Sequence, residues 1–126
     1  MTVIEAINEV NRLKPNMYET ADKILWLFRL ELRIWHNIYD RHYYNDGEEE
    51  RPQPQFETFN NEETELQVGE PWSEMYVHWL AAQIDYNNLE YDGFNASNAM
   101  FESVFGSYRN AYHQCHKPKG TKNIYF

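Results

Sequence analysis

The residues best suited to chemistry fall in two short stretches. "WHNIYDRHYY" places His36, Asp40 and His42 within seven residues, and "HQCHK" places His113, Cys115 and His116 near the C-terminal end. His36 and Asp40 are four apart, so on a helix they lie about 40° from one another and share a face. His42 lies about 240° round from His36 and does not join them. The HExxH zinc pattern is absent, and a metal site needs three or four converging ligands. His42, beside Arg41, reads as a positive group in the last turn of a helix. In the second stretch His113 and His116 are about 60° apart, and Cys115 points elsewhere. A cysteine near histidines has the makings of a nucleophile. No glycine-rich elbow or oxyanion motif surrounds it, so a small apolar thiol packed in a bundle is the plainer reading. The expectation is no catalytic residue, no metal and no cofactor.

The remaining chemical candidates are acidic. Glu48-Glu49-Glu50 and Glu62-Glu63-Glu65 are potential hard-cation ligands, but they lack the spacing of a calcium hand. The five glycines, at 47, 69, 93, 106 and 120, are scattered and form no phosphate-binding loop. These acids read as a solvated loop.

The elements that must position these residues are helical. Thr2-Val3-Ile4-Glu5 has the form of a capping box, and a short helix follows with Val3, Ile4, Ile7 and Val10 inward, ending before Pro15. From about Glu19 to Arg41 apolar residues recur at Ile24, Leu27, Phe28, Trp35, Ile38 and Tyr39. Leu25, Leu32 and Ile34 widen that stripe, so this helix is expected to make contacts on more than one side. Residues 44–70 change character. They hold Gly47, Pro52, Pro54 and nine acids against Arg51 alone. The segment reads as a long acidic loop, or a short β-hairpin pairing Gln55–Phe59 with Thr64–Val68 around Asn60-Asn61. Pro71 suits the first turn of a third helix, which runs to a break at Asp92-Gly93. A fourth covers roughly Asn95 to His116, and Lys117-Pro118 ends it. The fold class is all-α: a small bundle of one short and three longer helices in a single domain over residues 1–126, with an extended basic tail over 117–126.

Composition sets the outer bounds. The chain has 126 residues, 42% hydrophobic and 17% aromatic, enough to bury a core without staples. A single cysteine excludes an internal disulfide framework and points to a reducing cytosol. No apolar run approaches the ~20 residues needed to span a bilayer, and the N-terminus lacks a basic leader, so no membrane partner is expected. The net charge is −9. A negative field of this kind argues against gripping nucleic acid, whose affinity comes from phosphate neutralisation. It does not argue against DNA passing nearby. The aromatic richness exceeds what so small a bundle hides with ease, and tryptophan and tyrosine are favoured where chains meet. Interface candidates are therefore Trp26, Trp35, Tyr39, Tyr43, Trp72 and Trp79, with Lys117, Lys119, Lys122, Tyr125 and Phe126 of the tail.

The order of several motifs carries a resemblance. "MTVIEAINEVNRLKPNMYETADKILWL" resembles the opening of small proteins encoded in the head–tail gene cluster of tailed phages and prophages of Gram-positive hosts. Leu13-Lys14-Pro15-Asn16 with Tyr18 matches one motif of that family, and Lys23, Trp26 and Leu27 match the next. "TELQVGEPWSEMYVHWLAAQIDYNN" is similar to their Thr-Glu-Leu-Leu-Val segment and the helix after it. "FNASNAMFESVFGSYRNAYHQCHKPKG" is similar to their last helix and its His-x-Pro-Lys end. Trp72 stands where tyrosine is usual, and Gly69 where proline is common. The likeness spans nearly the whole chain and is weakest over 44–62.

The resemblance implies a head–tail connector, or adaptor: a head-completion subunit located in the virion. It forms a homo-oligomeric ring, typically of twelve copies, beneath the portal protein. It joins capsid to a downstream tail or stopper protein while DNA passes through the channel without specific binding. Net acidity suits a channel wall that repels phosphates, and a basic tail suits an acidic docking partner. Two readings from other classes stand beside it. One is a small metal-dependent helical enzyme using His36, Asp40 and His78 or His113; the other is a phage-encoded regulatory binding module.

Overall fold

A computed structural model describes residues 1–120, so Lys122, Tyr125 and Phe126 lie outside the described residues. The chain is mostly helical: α1 Val3–Leu13, α2 Thr20–Asn37, a 3-10 turn Tyr39–Arg41, the single turn α3 Phe56–Phe59, α4 Glu74–Asn87 and α5 Tyr91–Cys115. No sheet forms among the described residues, only two isolated bridges, Thr2 with Glu65 and His42 with Pro118.

The capping box starts α1 as its sequence requires. The Thr2 hydroxyl accepts from the Glu5 amide at 3.3 Å, and the Thr2 amide donates to the Glu5 carboxylate at 2.7 Å. Two more amides at this end, those of Val3 and Ile4, donate to the carbonyls of Thr64 and Glu62, each at 2.9 Å. The acidic segment thus satisfies donors that a helix start leaves orphaned. It does so without a β-hairpin: Phe56–Phe59 is a helical turn, and the pairing partner of Glu65 is Thr2. The reason is burial. A helical turn directs Phe59 inward, while Leu66 and Val68 fill the space behind α1 and α2.

α2 stops at Asn37, four residues short of the expected end. Ile38 leaves helical geometry at φ −120°, and the 3-10 turn lets Tyr39 and His42 both turn inward. α4 begins at Glu74 rather than Pro71, after a turn in which Ser73 donates to the Glu70 carboxylate. The break between the last two helices falls at residues 88–90, not at Asp92-Gly93. Leu89 takes the left-handed conformation at φ 62°, and the Glu90 amide donates to the Asp85 carbonyl. Gly93 has another task in the first turn of α5. A Cβ there would stand 2.6 Å from the buried Asp85 carboxylate, so glycine permits that close approach. The other Asp85 oxygen binds Lys14 at 2.9 Å and ties the turn after α1 to this corner.

α4 and α5 pack along one another as a helical hairpin, with α1 and α2 laid against α4. Val3, Ile7 and Val10 of α1, Leu27, Leu30 and Ile34 of α2, Leu80 and Ile84 of α4, and Phe101 and Phe105 of α5 form one continuous core. Cutting a fully buried leucine such as Leu30 to alanine is expected to cost about 2–5 kcal/mol.

Candidate functional site

The two histidine-bearing stretches meet, though through different residues from those whose spacing suggested a site. His42 Nε2 lies 3.0 Å from His113 Nδ1, across the gap between the 3-10 turn and α5. His42 Nδ1 lies 2.7 Å from the Ile38 carbonyl, which can only accept, so Nδ1 carries the proton. In the neutral ring Nε2 then accepts from His113. His116 takes a third position. Its Nδ1 donates to the Tyr112 carbonyl at 3.1 Å and its Nε2 to the Glu48 carboxylate at 3.0 Å. The contact holds the Glu48 carboxyl below its ordinary range. The His116 ring stacks on Tyr112 at 3.7 Å.

His36 packs edge-on against the ring of Trp35, and Asp40 is exposed in the 3-10 turn. His78 lines a different surface, beside α1. Cys115 is exposed. Among the described residues no group of three or more His, Cys, Asp or Glu is placed to hold a metal. The histidine cluster ties the root of the tail to the end of α2. The Tyr43 amide donates to the Lys117 carbonyl and the Lys119 amide to that of Arg41, both at 2.8 Å.

A second polar assembly lies inside the fold. Glu31 is 1% exposed on the apolar stripe of α2. One oxygen accepts from the Tyr76 hydroxyl at 2.6 Å and the other from the Gln67 amide at 2.9 Å. The Gln67 side chain donates to the Glu31 carbonyl at 3.2 Å, and the Tyr76 oxygen accepts from the Val68 amide at 3.0 Å. Burial pushes the Glu31 carboxyl up; these donors and the Arg51 charge pull it part of the way back. Tyr76 is held far above the ordinary phenol range by burial and by the carboxylate it faces. Arg51 lies 4.2 Å over the Tyr39 ring. Its carbonyl accepts from Trp35 Nε1 at 2.8 Å, and its amide donates to Tyr44 at 2.9 Å. The Tyr39 and Tyr108 hydroxyls share a hydrogen bond of 2.7 Å.

This assembly was not found from the sequence. Two signals mark it: Glu31 is a lone carboxylate between Leu30 and Leu32, and Arg51 is the single base in an acidic run. Together they fasten residues 51 and 67–68 to the bundle.

The interface candidates separate by burial. Trp26 and Tyr39 are buried, and Trp35, Trp72 and Trp79 are half-buried. Trp79 donates to the Trp26 carbonyl at 2.9 Å and packs on Phe101, while Trp72 packs on Tyr108. Tyr43 is 52% exposed with the Lys119 ammonium over its ring, and Lys117 is exposed.

Outside the acidic segment runs a groove of about 580 Å³. Glu49, Glu50 and Glu65 line it with Pro52, Pro54 and Phe59, and Arg51 and Glu31 of the buried assembly border it as well. No helix among the described residues is long and apolar enough to cross a membrane. Comparison with known protein families, with curated proteins and with solved structures gives no match.

Proposed function

We propose that this chain is a non-catalytic structural subunit of a tailed-phage virion, a head–tail connector that forms a ring beneath the portal protein. The observation that carries this reading is the ordered set of motifs, from Leu13-Lys14-Pro15-Asn16 through the last helix to its His-x-Pro-Lys end. The helical architecture supports it. So does the use to which the chemically able side chains are put: Glu31, Arg51, His42, His113 and His116 all spend their polar groups on fastening one segment of the chain to another. A ring subunit needs two different surfaces that meet by rotation. Tyr43 with Lys117 and Lys119 offers a cationic, aromatic one, and the acidic segment offers its opposite. In this reading the chain is made in the host cytoplasm and ends at the head–tail interface, touching portal and tail or stopper protein. DNA passes without specific binding.

The test is the virion itself. In a phage or prophage carrying this gene, purified particles are expected to contain the chain in constant ratio to portal protein. Its deletion is expected to leave filled heads without attached tails. Particles that lack the chain and remain infectious would end the proposal.

A further inference from the structure

The acid-lined groove and the C-terminal segment suit one another in charge and apolar content, and the direction of residues 117–119 points the segment toward a second copy. Residues 117–119 run antiparallel to residues 41–43, held by the two backbone hydrogen bonds that flank the His42–Pro118 bridge. The chain therefore passes Tyr43 first and Arg41 second, travelling away from the start of the acidic segment. Residues 121–126, Thr-Lys-Asn-Ile-Tyr-Phe, follow with one cation and three large apolar side chains. The groove offers the complement: Glu49, Glu50 and Glu65 line it together with Pro52, Pro54 and Phe59, and, among the described residues, the one cation in its lining, Arg51, is turned onto the Tyr39 ring. Glu48 is engaged by His116. Glu49 and Glu50 have no ion-pair partner among the described residues.

We infer that residues 121–126 of one copy dock in the groove of a second copy, with Lys122 against Glu49 and Glu50 and with Ile124, Tyr125 and Phe126 against the apolar wall. A groove of this volume is of the size that takes a few large side chains. An extended segment entering such a groove uses alternate side chains for specificity. The contact is heterologous, since tail and groove are different surfaces, so it propagates from copy to copy. It deepens the ring reading and rests on it only for closure. It is measured without portal protein, so its failure leaves the virion test untouched.

Sedimentation of the full chain, from low micromolar to near-millimolar concentration, tests it. The wild-type chain is expected to self-associate. Glu49→Lys with Glu50→Lys removes the acceptor surface, and Lys122→Gln with Phe126→Ser removes the donor. Each pair of changes is expected to weaken association by roughly tenfold or more. An equal mixture of the two variants retains one good tail and one good groove, so it is expected to form pairs and nothing larger. A wild-type chain that stays monomeric, variants that associate as wild type does, or a mixture that stays monomeric would each overturn the inference. The last result would assign the tail to its own groove. A further arm needs no variant: excess free peptide of residues 117–126 is expected to dissociate wild-type assemblies, and assemblies indifferent to it would contradict the inference.

Discussion

The joint around Glu31 centres on a carboxylate that is 1% exposed, whereas the joint around His42, His113 and His116 includes the exposed His113. Both hold the acidic segment or the tail to the helices, and both are built from titratable side chains. They differ in what replaces a lost partner. Around Glu31 every donor meets an acceptor inside the protein, so a deleted group leaves its partner buried and unpaired. Around the histidines His113 is exposed, and water can take its place. The same kinds of bond should therefore carry different weights, and the comparison can be broken by measuring them.

The largest loss is expected from Glu31→Ala, about 3–4 kcal/mol, because it strands the Tyr76 hydroxyl and the Gln67 amide and opens a cavity. Tyr76→Phe should cost about 2 kcal/mol, since Val68 loses its acceptor and Glu31 one of its donors. His113→Ala should cost no more than about 1 kcal/mol, as the freed His42 nitrogen can reach water. Urea unfolding followed by circular dichroism ranks the three. Equal losses for Glu31→Ala and His113→Ala would erase the distinction between the joints.

Two smaller effects sharpen it through pH. The buried Tyr112 hydroxyl has no hydrogen-bond partner among the described residues, and burial pushes it up to about 12. Its folded value lies above the unfolded one, so its contribution is complete below pH 10 and lost as pH rises toward 12. Tyr112→Phe keeps the ring stack on His116, should be neutral to slightly stabilising, and should make the alkaline loss of stability shallower. Glu48 has the opposite sign. His116 lowers its folded value, so its contribution is present above the ordinary 4.5 and fades as pH falls through the depressed one. Glu48→Gln should therefore be slightly less stable than wild type near neutrality, with the two curves converging in acid. Exposure of this carboxylate to solvent makes it the smallest effect of the five.

Local signals in the sequence were legible where chemistry and periodicity coincide. Thr2 and Glu5 start α1, Pro15 follows its end, and Ile24 and Leu27 of the α2 stripe face the core, whereas the buried face of α5 is Phe101, Phe105, Tyr108 and Tyr112. The failures share a cause: a residue chosen for a distant partner imitates a local signal. Asp92-Gly93 looks like a chain break, but Gly93 is there for Asp85. Tyr39 and His42 look like a continuing helix, but each turns toward α5. Gln55–Phe59 suggests a strand, and burial of Phe59 makes it a helical turn. The histidine spacing pointed to His36 with Asp40. The contact that forms, His42 with His113, spans 71 positions and has no signature in either stretch alone. Glu31 was hidden for the same reason, since its partners lie 36 and 45 positions away.

The most direct test of the connector reading is to mix the purified chain with a portal protein from the same genome and to image the product by electron microscopy. A closed ring of this chain seated on the portal is the predicted result. A chain that remains free and monomeric at every ratio to the portal would contradict it.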